Sequence, residues 1–215
     1  KDLEHKADIA EEIARFHGYD KIPSTAIRGT AQGALTEYQK FERTVSETLL
    51  AQGCYEISTY SFISPKYYDK ICLPADSALR KSVVILNPLG EDTSVMRTIV
   101  VPSMMEVLSR NYNNRNASAS LYELANEYIP VEGQELPDEK PVITIGQYGE
   151  SHDFFSLKGI IENLLSVLGI TDLTVQAESE IPYYHPGRCA KIFTGETELG
   201  TLGEIHPQVA ENYGV

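Results

Sequence analysis

The residues of this 215-residue chain best placed to do chemistry are four acids near its start. Asp2, Asp8, Glu11 and Glu12 form its densest carboxylate group, with the last three at i, i+3 and i+4. On a helix that spacing puts them on one face, where their oxygens can converge on one point. Hard oxygen donors in this arrangement suit Mg2+, which keeps several waters and takes few carboxylates. Acids in the opening turns of a helix are equally what its dipole favours, so spacing alone leaves both readings standing.

Other polar groups invite a chemical reading and also have an ordinary one. Ser151, His152 and Asp153 are a nucleophile set only on paper, because a triad converges in space and not along the chain. Asp153 or Ser151 is better read as the cap of the helix that follows. "YHPGR" offers His185 and Arg188 to a site mouth, or turns the chain tightly. His206 stands before Pro207 at the start of a last short helix, where a turn role is expected. Arg97 follows a Pro/Gly loop, "NPLGEDTSVMR", and precedes an apolar helix, so it either meets a phosphate or belongs to a surface that holds a partner. GxxxxGK[ST], GxGxxG and HExxH are absent from the sequence.

The elements that must position these groups follow from periodicity. "KDLEHKADIAEEIARFHGYDKIP" places Ile9, Ile13 and Phe16 at helical spacing, with Gly18 where a C-terminal cap belongs. Pro23, Gly29 and Gly33 mark a linker. Tyr38, Phe41, Val45 and Leu49 recur at steps of three and four, which predicts an amphipathic helix closed by Gly53. "CYEISTYSF" reads as a strand, followed by a short helix around Tyr67–Ile71 and a buried strand "SVVIL". Val100–Asn111 is predicted helical, "SLYELANEYIP" and "PVITIGQYG" as strands, and "DFFSLKGIIENLLSVLG" as a helix with Phe154, Leu157, Ile161, Leu164 and Leu168 inward. "CAKIF", "TGETE" and "LGTLGEI" form a hairpin signature. Helices and strands do not alternate as βαβ units, so the expected class is α+β, an antiparallel sheet flanked by helices.

Bulk properties narrow the function. Apolar residues are 42% and charged residues 23% of the chain, the profile of a folded domain. A net charge of −13 repels a phosphate backbone at long range, leaving only local contacts for Arg110 and Arg115. Cys54, Cys72 and Cys189 are odd in number and in no CxxC pair, which fits a reducing compartment such as the cytoplasm. No apolar run approaches the roughly 18 residues of a membrane span. The chain lacks an initiator Met and opens within a charged pattern, so it is expected to be part of something longer.

Four stretches together resemble the beta subunit of bacterial phenylalanyl-tRNA synthetase. They are "ADIAEEIARFHGYDKIPST", "TYSFISP" with "NPLGEDTSVMRTIVVPSMMEVLSRNYNNR", "DFFSLKGIIENLLSVLG" and "HPGRCAKIFTGETELGTLGEIHPQV". They run from end to end in the family's order. The resemblance implies that residues 1–22 are the tail of a small winged-helix-like domain, 23–35 a linker, and 36–215 a noncatalytic core domain of class II synthetase type. It places the family's four acidic Mg2+ ligand positions on Asp2, Asp8, Glu11 and Glu12, the ion serving the complex with the alpha subunit. It further implies an alpha2beta2 heterotetramer that attaches phenylalanine to tRNA(Phe) at the expense of ATP, with tRNA bound by the full complex, ATP not expected on this portion, and no membrane.

Class II catalysis needs an arginine on the strand of its second signature motif and another in its third, each clamping charged oxygens. The strand analogous to the former, "SLYELANEYIP", carries none, and the Gly-rich third motif ending in arginine is missing. Arg97 is then expected to orient a loop or bridge to a partner. The apolar faces of the helices at Thr36–Gln52 and Val100–Asn111 are the candidates for a partner interface, with an ordinary core role equally open to each. Two rivals stand beside this reading: a Mg-dependent phosphoryl-transfer enzyme and a tRNA-binding module.

Overall fold

The computed structural model describes residues 3–26, 29 and 33–215, which divide into two compact units, Lys1–Thr36 and Glu37–Val215. In the first unit, α1 (Lys6–His17) ends at Gly18, whose φ of 100° suits a glycine, and is followed by a 3-10 turn, Tyr19–Lys21. Ile9, Ile13 and Phe16 follow helical spacing as expected, yet all three are exposed, and α1 buries none of its residues.

The second unit opens with α2 (Glu37–Ala51), β1 (Tyr55–Glu56), β2 (Phe62–Ile63), α3 (Lys66–Lys70), β3 (Val95–Met96) and α4 (Val101–Asn113). It continues through β4 (Ala119–Ile129), β5 (Asp138–Tyr148), α5 (Phe154–Val167), β6 (Thr174–Ala177), β7 (Tyr184–Thr194), β8 (Thr197–Ile205) and α6 (Pro207–Tyr213). The strands form three small sheets, ordered β1-β4-β5, β2-β3 and β6-β7-β8. Every pairing is antiparallel except the two-residue β1, which runs parallel to β4. The α+β class therefore holds, with one sheet mixed at its edge.

Three apolar clusters make the core. One joins α4 to Ile63, Tyr68, Ile71, Val95, Leu121 and the buried side of α6. Another packs Val45 and Leu49 of α2 on Cys54, Tyr122 and Leu164. A third sets Ala190, Ile192 and Leu202 of the β7–β8 hairpin against Phe154, Leu157 and Ile161 of α5. Asp153 caps α5 by accepting from the Ser156 N–H at 2.7 Å, and His206 caps α6 by accepting from the Gln208 N–H at 3.1 Å.

Two sequence expectations fail. "CYEISTYSF" is not one strand but two short ones, because its middle is held by a side chain of β4. "SVVIL" is not a buried strand: only Val84 bridges β3, and Val84 and Leu86 are exposed. An apolar run needs cover on both faces to be buried, and this one has a single neighbouring strand. The four-residue β6, "TVQA", went unpredicted because so short a run carries too little alternation.

Glycines report how tightly these layers meet. A Cβ on Gly146 of β5 would lie 2.7 Å from Met104 Cγ and 2.8 Å from Leu108 Cδ1, so α4 rests on bare backbone there. Gly159, in mid-α5, has open space around it. We expect Gly146→Ala to destabilise the fold by about 1–3 kcal/mol through overpacking. Gly159→Ala should stabilise it by about 0.5–1 kcal/mol, since helical glycine costs backbone entropy. Urea unfolding of both variants checks the opposite signs.

Candidate functional site

Arg97 sits one residue past β3 and is only 2% exposed. A guanidinium cannot shed its charge, so it must find acceptors wherever the fold buries it. It finds Glu123, which is 3% exposed on β4, with both terminal nitrogens 3.4 Å from Oε1. Arg97 Nη1 also donates to Thr59 Oγ1 at 2.7 Å, and Nε to the Asn126 carbonyl at 2.9 Å. The Glu123 carboxylate accepts the Thr59 N–H at 2.9 Å and the Thr59 hydroxyl at 2.8–2.9 Å.

The backbone of Arg97 completes the clamp, donating to the Ser61 carbonyl and accepting from the Tyr128 N–H, each at 2.9 Å. One arginine thus ties the 57–61 loop to the middle and C-terminal half of β4. Of the two roles expected for Arg97, the loop-orienting one is what the geometry gives. No phosphate can reach a guanidinium buried on these partners.

The open space lies elsewhere. A cavity of about 1260 Å³ runs between α4, α5, the Leu124–Glu127 stretch of β4, and strands β5 and β8. Its walls are largely aliphatic and aromatic, and its acidic and imidazole side chains are Glu42, Glu127, Glu150, His152, Asp153, Glu198 and Glu204. Among the described residues that line it there is no lysine or arginine. Burial pushes the Glu127 carboxyl above its ordinary range, while the Val100 N–H, Arg97 and Lys140 pull it down. Burial likewise raises the Tyr183 phenol, with Tyr184 and Glu127 adding to it. The cavity is an apolar space of negative sign, the opposite of what a triphosphate requires.

The acids singled out in the sequence do not assemble. Asp8 spends Oδ2 on the N-terminus of α1, accepting the Glu4 N–H at 2.8 Å and the His5 N–H at 2.7 Å. Glu12 faces Arg15 at 2.5 Å, a surface pair, and Glu11 is exposed on the same helix. Asp2 lies outside the described residues. Among those described, no three or more His, Cys, Asp or Glu side chains are grouped to hold a metal ion.

His152 and Asp153 border the cavity, but Asp153 is engaged in its cap. His185 accepts the Gly187 N–H at 3.1 Å and Arg188 is paired with Glu204, but YHPGR is not the expected turn: it lies within β7, where the pairing with β8 shifts register between Tyr184 and Cys189. All three cysteines are free, and no described helix is long and apolar enough to cross a membrane.

Of the two helices proposed as interface, α4 buries Pro102, Ser103, Met104, Met105, Leu108 and Ser109, so its apolar face is core. α2 buries Val45 and Leu49 but leaves Tyr38, Phe41 and Leu50 exposed. Sequence reasoning missed Glu123 and Thr59. Their only signal was an acid set between leucines of an apolar strand, which if buried requires a partner.

The sheet and helix arrangement is that of class II aminoacyl-tRNA synthetases. A pyrrolysyl-tRNA synthetase from Desulfitobacterium hafniense superposes with a TM-score of 0.65 at 18% identity, covering 82% of this chain and 62% of that one. A second structure of that enzyme gives 0.64 at 16% identity, again over 82% and 62%. Residues 22–215 match the family model described as the phenylalanyl tRNA synthetase beta chain CLM domain.

The phenylalanine–tRNA ligase beta subunit of Clostridium acetobutylicum is 49% identical over the whole of this chain, and that of Clostridium tetani 46%. The chain belongs to the phenylalanyl-tRNA synthetase beta-subunit family. It spans 27% of the length of those two relatives.

Replacing Arg97 by Met strands the Glu123 carboxylate in the core. We expect a loss of about 3–5 kcal/mol in unfolding free energy. The double variant R97M/E123Q should be more stable than R97M alone. Equal stability of the single and double variants in chemical denaturation would show that the pair is not coupled.

Proposed function

We propose that this chain is a noncatalytic core module of a phenylalanine–tRNA ligase beta subunit. It supports ATP-dependent attachment of phenylalanine to tRNA(Phe) by assembling with the catalytic alpha subunit, in an alpha2beta2 complex in the cytoplasm. Residues 36–215 form the core, 23–35 a linker, and 1–22 the tail of a winged-helix-like domain. The observation that carries this reading is the cavity. It stands on a class II-type sheet, yet its described lining carries carboxylates and no lysine or arginine where ATP would need cations.

The arginine nearest that sheet is locked on Glu123, and the one beside the hairpin is paired with Glu204. The same cation-free lining argues against a stand-alone phosphoryl-transfer enzyme. The charge of −13 argues against an independent tRNA-binding module, so tRNA would be bound by the assembled complex.

Phenylalanine-dependent ATP–pyrophosphate exchange is the direct test. This chain alone should give no exchange, and the beta subunit mixed with its alpha partner should give it. Exchange by the chain alone would overturn the noncatalytic reading, and silence of the mixture would overturn the family role.

A role for Mg2+ is proposed for the assembled protein only, at Asp2, Asp8, Glu11 and Glu12. In α1 as it stands, Asp8 and Glu12 are already engaged and the described acids do not fit an ion by themselves. Calorimetry should find no tight Mg2+ site in this chain. Tight binding that survives Ala at Asp8, Glu11 and Glu12 together would refute the assignment.

A further inference from the structure

The segment that fails to become a buried strand forms instead a third rung beside β2 and β3. The Ile85 N–H donates to the Ser94 carbonyl and the Met96 N–H to the Val83 carbonyl, both at 2.9 Å, on either side of the Val84–Val95 bridge. That pattern makes Val84 and Val95 a non-hydrogen-bonded pair. Their side chains share one face, and the N–H and C=O of Val84 turn away from β3. Because Ile63 pairs with Val95, the residues Ile63, Val95 and Val84 form a single apolar row across three strands.

Cover stops partway along that row. Ile63 and Val95 are 2% and 7% exposed, Val84 is 73% exposed, and beyond it Leu86 and Leu89 stand at 98% and 102%. The core's apolar face therefore runs out into solvent along an open strand edge. Pro88, with its fixed φ, stiffens the tip between the two leucines.

The surroundings say what fits there. Glu91 and Asp92 follow the tip directly, and Lys66, the cation beside them, is bound to Glu91 at 2.9 Å. The rim is thus net negative on a chain of charge −13, so a second copy would bring like charge against like.

We propose that Val84, Leu86 and Leu89 dock the second subunit of the ligase, on a surface with an apolar recess rimmed by basic side chains. The outward N–H and C=O of Val84 can extend that contact by pairing with an added strand. This proposal rests on the beta-subunit reading given above. It gives the partner a different surface from the helix faces, of which α4 is taken by the core.

The test uses the full-length protein carrying this sequence and the purified alpha subunit, with affinity measured by titration. L86D/L89D should weaken binding by at least about thirtyfold, the scale of losing interface anchors. Its unfolding midpoint should match wild type; a lowered midpoint with unchanged alpha-subunit affinity would assign the edge to another part of the same chain and overturn the occupant proposed. V167D, which places the same charge on an exposed residue of α5, should bind as wild type does.

Equal affinity of L86D/L89D and wild type would overturn the proposal and leave the beta-subunit reading intact. Failure of wild type to bind the alpha subunit would remove that reading and this proposal together. Self-association of wild type that L86D/L89D abolishes would assign the edge to a second copy and overturn the occupant proposed.

Discussion

A buried arginine that cannot lose its charge sets the terms for the rest of the large unit. Desolvating Arg97 and Glu123 costs several kcal/mol per ion, and their mutual attraction offsets this only when the remaining donors and acceptors are also met. Thr59, Asn126, Ser61 and Tyr128 meet them, and in doing so fix where the 57–61 loop, β3 and the inner strand lie relative to one another. β1 and β2 are each two residues long and too short to hold their place by strand pairing. The ion pair between them does what pairing cannot.

Pairing of this kind recurs around the sheet and hairpin. Three cations near the sheet and hairpin are paired with acids of the same chain: Arg97 with Glu123, Arg188 with Glu204, Lys191 with Glu178 and Glu198. What faces the cavity is left with carboxylates and apolar walls. A substrate polyphosphate is held by donors free to turn toward it, and these have been spent on holding the fold.

Long periodic elements were legible in the sequence. α2, α4, α5, the β4–β5 pair and the β7–β8 hairpin follow from their own spacing, because each presents one face to one neighbour. The Asp153 cap was legible too, since it stands immediately before an apolar helix, whereas His206, expected in a turn, proved to cap α6. What the sequence hid depends on distant partners. "SVVIL" has the composition of a buried strand, and only the lack of a neighbour beyond Val84 makes it an exposed edge. Tyr55–Phe62 looks continuous until Glu123, more than sixty positions away from Thr59, pins its middle. The Met104, Met105 and Leu108 face of α4 could equally have served a partner or the core. The bare backbone at Gly146 shows that the core took it.

Strands β5 and β8 each end a sheet, and both border the same cavity. An edge strand of eleven residues turns about half of its main-chain donors and acceptors outward, a template on which another chain can polymerise. Acidic side chains stand along both edges: Asp138, Glu139 and Glu150 beside one, Glu198 and Glu204 on the other. Seen this way, the surplus negative charge is a colloidal safeguard. It holds molecules apart where their backbones would otherwise interlock, and it loses range as the Debye length shrinks with added salt.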